Sequence, residues 1–156
     1  MERKFLILKL GEQSFAIELK FAREIIRYSQ PTSLPRAPYF FEGVIHLRGF
    51  FMPLIDTKRL LGIEHNNNLD DKKSKKILIV SVLKKIVGLK TDDIEDILRL
   101  DETNILPAPS LVSTLNHNYF SGGFYLNDRV IMILDMERLF RDHVLPHKVS
   151  VKEKAL

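Results

Sequence analysis

Two carboxylates stand at matching places in one repeated phrase. Residues 43 to 62 read GVIHLRGFFMPLIDTKRLLG and residues 122 to 140 read GGFYLNDRVIMILDMERLF, with Asp56 and Asp135 each closing an apolar run. Paired carboxylates could work as general acid and base. Each also sits where a strand gives way to a short helix, and a carboxylate there satisfies free amides at the helix start. Gly62 is placed to stop the first of these helices, so capping is the expected role of both. The five histidines, His46, His65, His117, His143 and His147, are scattered. HVLPH spaces two of them by four, but Pro146 breaks the helix that would aim both at one ion. TDDIED at 91–96 clusters carboxylates, yet a strand sends alternate side chains to opposite faces. A solvated acidic strand end is expected there. There is no phosphate loop ending in Gly-Lys-Ser/Thr, no Gly-x-Ser-x-Gly elbow and no His-Glu-x-x-His. The sequence predicts no catalytic residue, no metal and no cofactor.

The elements that would carry these residues are themselves duplicated. An offset of 72 pairs Phe5–Pro38 with Ile77–Ser110, laying FLILKL on ILIVSV and AREII on IEDIL. After seven extra residues the offset becomes 79 and holds from Gly43/Gly122 to Leu61/Phe140. An apolar pattern in register over that length, with one insertion, marks an internal duplication. FLILKL and KILIVSV read as strands, SFAIEL and IVGLKT as their hairpin partners, with turns at Gly11-Glu12 and Lys84-Lys85. AREIIRY alternates as a third strand would, with its helical reading still open at that point. VIHL-RG-FFMPLI and FYL-ND-RVIMIL read as two-residue hairpins, with an edge or a bulge near Pro53. The pattern predicts a mainly β fold of two small antiparallel barrels with short helices, each marginal alone and packed over a shared apolar core. The first barrel motif spans about 5–62, an exposed connector 63–76 and the second motif about 77–140, with a basic tail at 141–156.

The formal charge of +4 raises an acidic partner as a possibility. Its placement argues otherwise. Residues 64–76 carry four lysines against three acids, and 141–156 carry four basic residues against two acids. Three of the four excess charges thus lie in connector and tail, and the folded body is close to neutral. No apolar run approaches the roughly 18 residues that span a bilayer. The amino terminus MERKFLILKLGEQSF lacks the pattern of a secretory signal. The chain has no cysteine, which fits a reducing cytoplasm.

Positions shared by the copies are explained by the fold, so positions special to one are the functional candidates. The aromatic pair Phe40-Phe41 recurs as Tyr119-Phe120 and reads as packing. The hairpin turns differ: Asn127-Asp128 suits a tight turn without further explanation, whereas Arg48-Gly49 leaves a guanidinium projecting from a rigid site. Such a group can form two parallel bonds to a partner's carboxylate. Ala22 replaces the bulkier Ile94 and would open a shallow apolar depression beside Glu24, which matches Asp96.

The ordered set FAIELKFAREIIRY, LPRAPYFFEGVIHLRGFFMPLIDTKRLLG and VGLKTDDIEDIL resembles the CheW family of bacterial chemotaxis coupling proteins over about residues 5–140. The resemblance implies two five-stranded barrels over a common core and a cytoplasmic adaptor without catalysis. It also implies two partners, the cytoplasmic tip of a chemoreceptor and the regulatory domain of a CheA-type histidine kinase. Arg48 takes the place of the family's Leu-Arg-Gly arginine, and Ala22 and Glu24 that of its Val-x-Glu, all associated with receptor contact. No kinase-contact residue is assigned. His46 stands where the family has Asn, and Ala22 is smaller than the family's Val. The second reading of a small basic barrel, nucleic-acid binding, lacks an aromatic stripe interleaved with Lys and Arg.

Overall fold

Runs of branched apolar residues separated by two-residue turns fold here as hairpins. The computed structural model describes residues 1–63, 75–107 and 119–146. The first copy forms β1 (Glu2–Leu10), β2 (Gln13–Glu18), β3 (Ala22–Arg27), β4 (Phe41–Leu47) and β5 (Phe50–Asp56), then helix α1 (Thr57–Leu61). The second forms β6 (Lys76–Val82), β7 (Lys85–Thr91), β8 (Asp93–Asp101), a short β9 (Leu106–Pro107), β10 (Phe120–Leu126) and β11 (Arg129–Leu134), then α2 (Met136–Leu139). AREIIRY is thus a strand. The β6–β7 turn is Leu83-Lys84, one residue earlier than expected; both residues have positive φ, as do Asn127-Asp128 and Arg48-Gly49. That left-handed pair matches the twist of the flanking strands.

Mainly β architecture with two sheets and short helices is as the pattern predicts. The composition of the sheets is not. One sheet runs β8-β1-β2-β11-β10-β9 and the other β3-β6-β7-β5-β4. Each takes the first two strands of one copy and the later strands of the other, so the copies exchange strands rather than each closing its own barrel. Neither sheet is purely antiparallel: β5 runs parallel to β7 and β11 parallel to β2. The duplication survives in the details. A bulge between Ala22 and Glu24 against β6 recurs where β8 crosses Ile7/Leu8. A second, between Phe41 and Gly43, recurs between Phe120 and Gly122. That bulge, expected near Pro53, lies on the partner strand; Pro53 pairs regularly with Val44, and β7 joins β5 only from Leu54 onward.

The main core lies between the sheets, where Leu6, Leu8, Leu10, Phe15 and Ile17 meet Leu78, Val80, Val82, Phe140 and the aromatic residues Phe40, Tyr119 and Phe120. Two satellites fill the separate sheets, one around Phe5, Ile7, Phe124 and Ile133, the other around Ile45, Met52, Leu54, Ile77 and Ile79. Chain beyond residue 140 is not simply tail: the helix runs on as a π-turn over Phe140–Val144, with Phe140 fully buried. The carboxyl end of the expected connector is also part of the fold, since Lys75 is buried.

Both repeated phrases open on glycine for one steric reason. A Cβ on Gly43 would lie 2.5 Å from the Thr32 carbonyl oxygen, and one on Gly122 would lie 2.6 Å from that of Leu106. At each point a neighbouring strand passes directly over the bulge. Gly43→Ala should therefore cost about 1–3 kcal/mol of unfolding free energy through forced displacement of the Thr32–Val44 bridge. Urea denaturation of the variant beside the wild type measures it.

Candidate functional site

The β4–β5 hairpin places Arg48 at its apex in the left-handed region, φ 50°, with Gly49 at φ 83°. A non-glycine residue held there carries some backbone strain. The guanidinium is exposed, yet it is not free as the sequence suggested. It donates two hydrogen bonds to the Glu24 carboxylate, Nη1 to Oε2 at 2.7 Å and Nη2 to Oε1. The sequence could not show this, because the partners lie 24 residues apart on elements at opposite edges of their sheet. The sheet therefore curls until β3 and β4 face one another, and the pair ties the two edges at one end. At the other end the Tyr28 hydroxyl donates to Glu42 at 3.4 Å, while Ile26 and Leu47 pack against the same small core between them. The hydrogen bonds from Arg48, then the carboxylate charge, raise the guanidinium pKa above its ordinary value.

The second copy has Asp96 and Asn127 at the matching positions, and no ion pair joins them among the described residues; the Asp96 carboxylate accepts from the Ile97 amide instead. Thus Glu24 and Arg48 form the copy-specific feature. Ala22, two residues before Glu24 on β3, is half-buried against the main core and does not complete a three-residue cluster. Beyond Arg48 in the hairpin, two aromatic residues at the start of β5 are exposed, on opposite faces of the strand. Phe50 and Phe51 are 66% and 52% exposed, and the His46 ring stands 5.3 Å from that of Phe51. Met52 and Leu54 face the small core of this sheet, and Ile55 faces the main core between the sheets.

The two aspartates of the opening phrase are caps. Asp56 Oδ1 accepts from the Arg59 amide at 3.3 Å and Asp135 Oδ1 from the Arg138 amide at 3.1 Å, while Gly62 ends α1 at φ 76°. They share no site: each follows a strand of a different sheet. Asp56 carries a further load, because the Lys90 ammonium lies 3.3 Å from its Oδ2 and 2.6 Å from Glu42 Oε1. Burial pushes the Lys90 pKa down, but the Glu42 hydrogen bond and the charges of Asp56 and Glu42 outweigh it, and the net direction is up.

Within TDDIED, Asp92 is not a solvated strand end. It accepts from the Gly11 amide at 2.5 Å and pairs with Lys58 at 2.6 Å and Lys75 at 3.9 Å, both lysines being buried. An acidic run on sequence gave no sign that one member turns inward. Among the described residues no group of three His, Cys, Asp or Glu is placed to hold a metal. His143 lies in the last helical turn with its ring 4.8 Å from Tyr119, and His147 falls outside the described residues. No helix among the described residues is long and apolar enough to cross a membrane.

Comparison with known proteins gives a consistent result. The family model for the CheW-like domain matches residues 4–144. A probable chemotaxis protein CheW from Rhizobium etli is 30% identical over 141 residues, covering 90% of this chain and 89% of its own. The chemotaxis protein CheW of Thermotoga maritima is 28% identical over 153 residues, covering 97% and 93%. Among solved structures, the scaffolding protein TtCheW from Thermoanaerobacter tengcongensis superposes with a TM-score of 0.80 at 30% identity, covering 90% of this chain and 88% of that one.

Two expectations follow for the capping aspartates. Asp135→Ala should cost about 1 kcal/mol, the loss of a cap, and Asp56→Ala about 3 kcal/mol or more, because it also removes a partner of a buried ammonium; urea midpoints at pH 7 compare them. A lysine whose folded pKa is raised adds stability below its unfolded value, about 10.4, and loses it as pH climbs through the folded value. Wild type should therefore lose stability above about pH 10 more steeply than Lys90→Met, as read by thermal unfolding across that range.

Proposed function

We propose, from the premise that this chain belongs to the CheW-like family, that it is a cytoplasmic, non-catalytic adaptor coupling the cytoplasmic tips of chemoreceptors to a CheA-type histidine kinase. One observation carries the reading at the level of residues. The copy-specific feature of a duplicated fold is the exposed Glu24–Arg48 pair, at the positions that the family resemblance associates with receptor contact. Its surroundings suit a helical partner. Two residues on from the charged fork the Phe50 ring is exposed, so a helix presenting an acidic side chain and an adjacent apolar residue would meet both.

The intramolecular pair shapes how that contact works. Two hydrogen bonds to Glu24 hold the guanidinium in one direction, which lowers the side-chain entropy lost on docking. A receptor carboxylate would bind the outward edge of the fork, or take over bonds that Glu24 now accepts. An exposed pair of this kind contributes about 0–1 kcal/mol to folding, so its value lies in placement. The kinase contact is left to surfaces away from this seam.

The reading separates from a purely structural role by a charge exchange. Arg48→Glu should abolish co-precipitation of receptor while shifting the thermal midpoint by only a degree or two (about 0–1 kcal/mol). The double variant Glu24→Arg/Arg48→Glu restores an ion pair with reversed polarity and should still fail to capture receptor. Recovery of receptor binding in the double variant would show that the pair only braces the fold, and would sink the assignment.

A further inference from the structure

The duplication gives each end of one sheet a counterpart on the other, and at one pair of ends the two halves part company. Strands β5 and β7 run parallel from Leu54 and Gly88, so the turns that precede them, Arg48-Gly49 and Leu83-Lys84, lie at the same end of their sheet. Here the face that holds the small core runs out into solvent. Phe50 pairs with Leu47, which packs on that core, and Ile86 pairs with Ser81, two residues beyond Ile79. Both are exposed, 66% and 55%. In the other sheet β2 and β11 run parallel in the same way, and the offsets of 72 and 79 put Ser14 in place of Ile86 and Arg129 in place of Phe50. That end is closed by polar side chains. The bulge residue Glu95 of β8 accepts from the Ser14 hydroxyl at 2.6 Å and lies 3.7 Å from Arg129. Its counterpart Arg23, also the extra residue of a bulge, donates instead to the Lys20 carbonyl oxygen at 3.3 Å. The fold thus does not require an exposed apolar pair at this place.

The charges at the two ends are opposite in sign. The apolar end carries Arg23, Arg48, Lys84 and Lys85 against Glu24, four cations and one carboxylate. The matching positions of the other sheet hold Glu12, Glu95, Asp96 and Asp128 against Arg129, four carboxylates and one cation. Lys84, Lys85, Glu12 and Asp128 are all exposed, and among the described residues none of the four is in an ion pair. The near-neutral body thus hides two ends of opposite sign. Two copies meeting through the same end would set like charges together, which is costly, whereas unlike ends attract.

We infer that the apolar, basic end of one copy docks on the acidic end of a second copy, head to tail. Phe50 and Ile86 are covered in the contact, and the opposed charges set which ends meet. Such a contact joins two different patches, so each copy keeps one end open and the assembly closes as a ring or extends as a filament. The inference stands without the receptor reading but bears on it. Arg48 lies on the docking end, so a receptor held there and a second copy exclude one another.

Sedimentation velocity of the full chain over a concentration series, at about 50 and about 500 mM NaCl, reads the contact. The wild type should associate with rising concentration at the lower salt and disperse at the higher, where exposed charges are screened. Ile86→Ser installs the twin's residue, and Lys85→Glu and Glu12→Lys each reverse one exposed charge. Each should weaken association at least about tenfold with the thermal midpoint unchanged. Mixed together, the two charge variants should form a dimer that does not grow, because only the basic end of Glu12→Lys and the acidic end of Lys85→Glu are intact. Glu12 lies in the other sheet from Arg48, so receptor capture by Glu12→Lys tests the earlier reading and not this one. A monomer at every concentration, association indifferent to salt, full association of Ile86→Ser, or no dimer in the mixture would overturn the proposal.

Discussion

Backbone hydrogen bonding across the duplication is the constraint on which the rest depends. Strand β3 finds its ladder partner only in β6, and β8 only in β1, so the third strand of each copy is satisfied entirely by the other copy. An unpaired buried amide is costly, and two parallel pairs add further ladders across the same divide. The repeat therefore cannot be read as two small domains side by side. It is one cooperative body with approximate twofold symmetry, and its apolar core is large because neither half needs a core of its own.

That exchange also explains why charges settle where they do. The junctions between copies are the places where a strand of one sheet leaves for the other, and backbone groups there would otherwise be stranded. Asp92 stands at such a junction and holds the Gly11 amide of the β1–β2 turn together with lysines from α1 and from the start of β6. Lys90 does comparable work between β4 and β5. Buried pairs of this kind add little net stability compared with apolar residues of the same size, yet losing one partner is costly. Their effect is to fix which segments meet.

Much of this was legible in the residues. Period-two alternation, two-residue turns and the Asp-to-Gly frame around TKRLL give the hairpins, the caps and the helix ends, because those depend on neighbours in sequence. Periodicity states which face of a strand is buried and says nothing about which strand lies beside it, so the exchange of strands and the parallel pairs were hidden. Leu83 at a left-handed turn position was missed for a related reason: hairpin twist demanded the conformation, and residue type did not announce it. The Glu24–Arg48 pair needed the curl of a sheet to bring its edges together. In each case the missing information was three-dimensional partnership.

The pairing of β1 with β8 has a consequence for synthesis on the ribosome. Residues 2–9 cannot complete their sheet until residues up to 101 have emerged, and β3 waits for β6 in the same way. A nascent chain at the halfway point presents an apolar hairpin with both edges open, one awaiting β8 and the other β11. Long-range pairing of this sort slows folding and leaves exposed strand edges at risk of misassociation. The charged residues along β3, Arg23 and Arg27, then guard the growing polypeptide before they decorate the finished one.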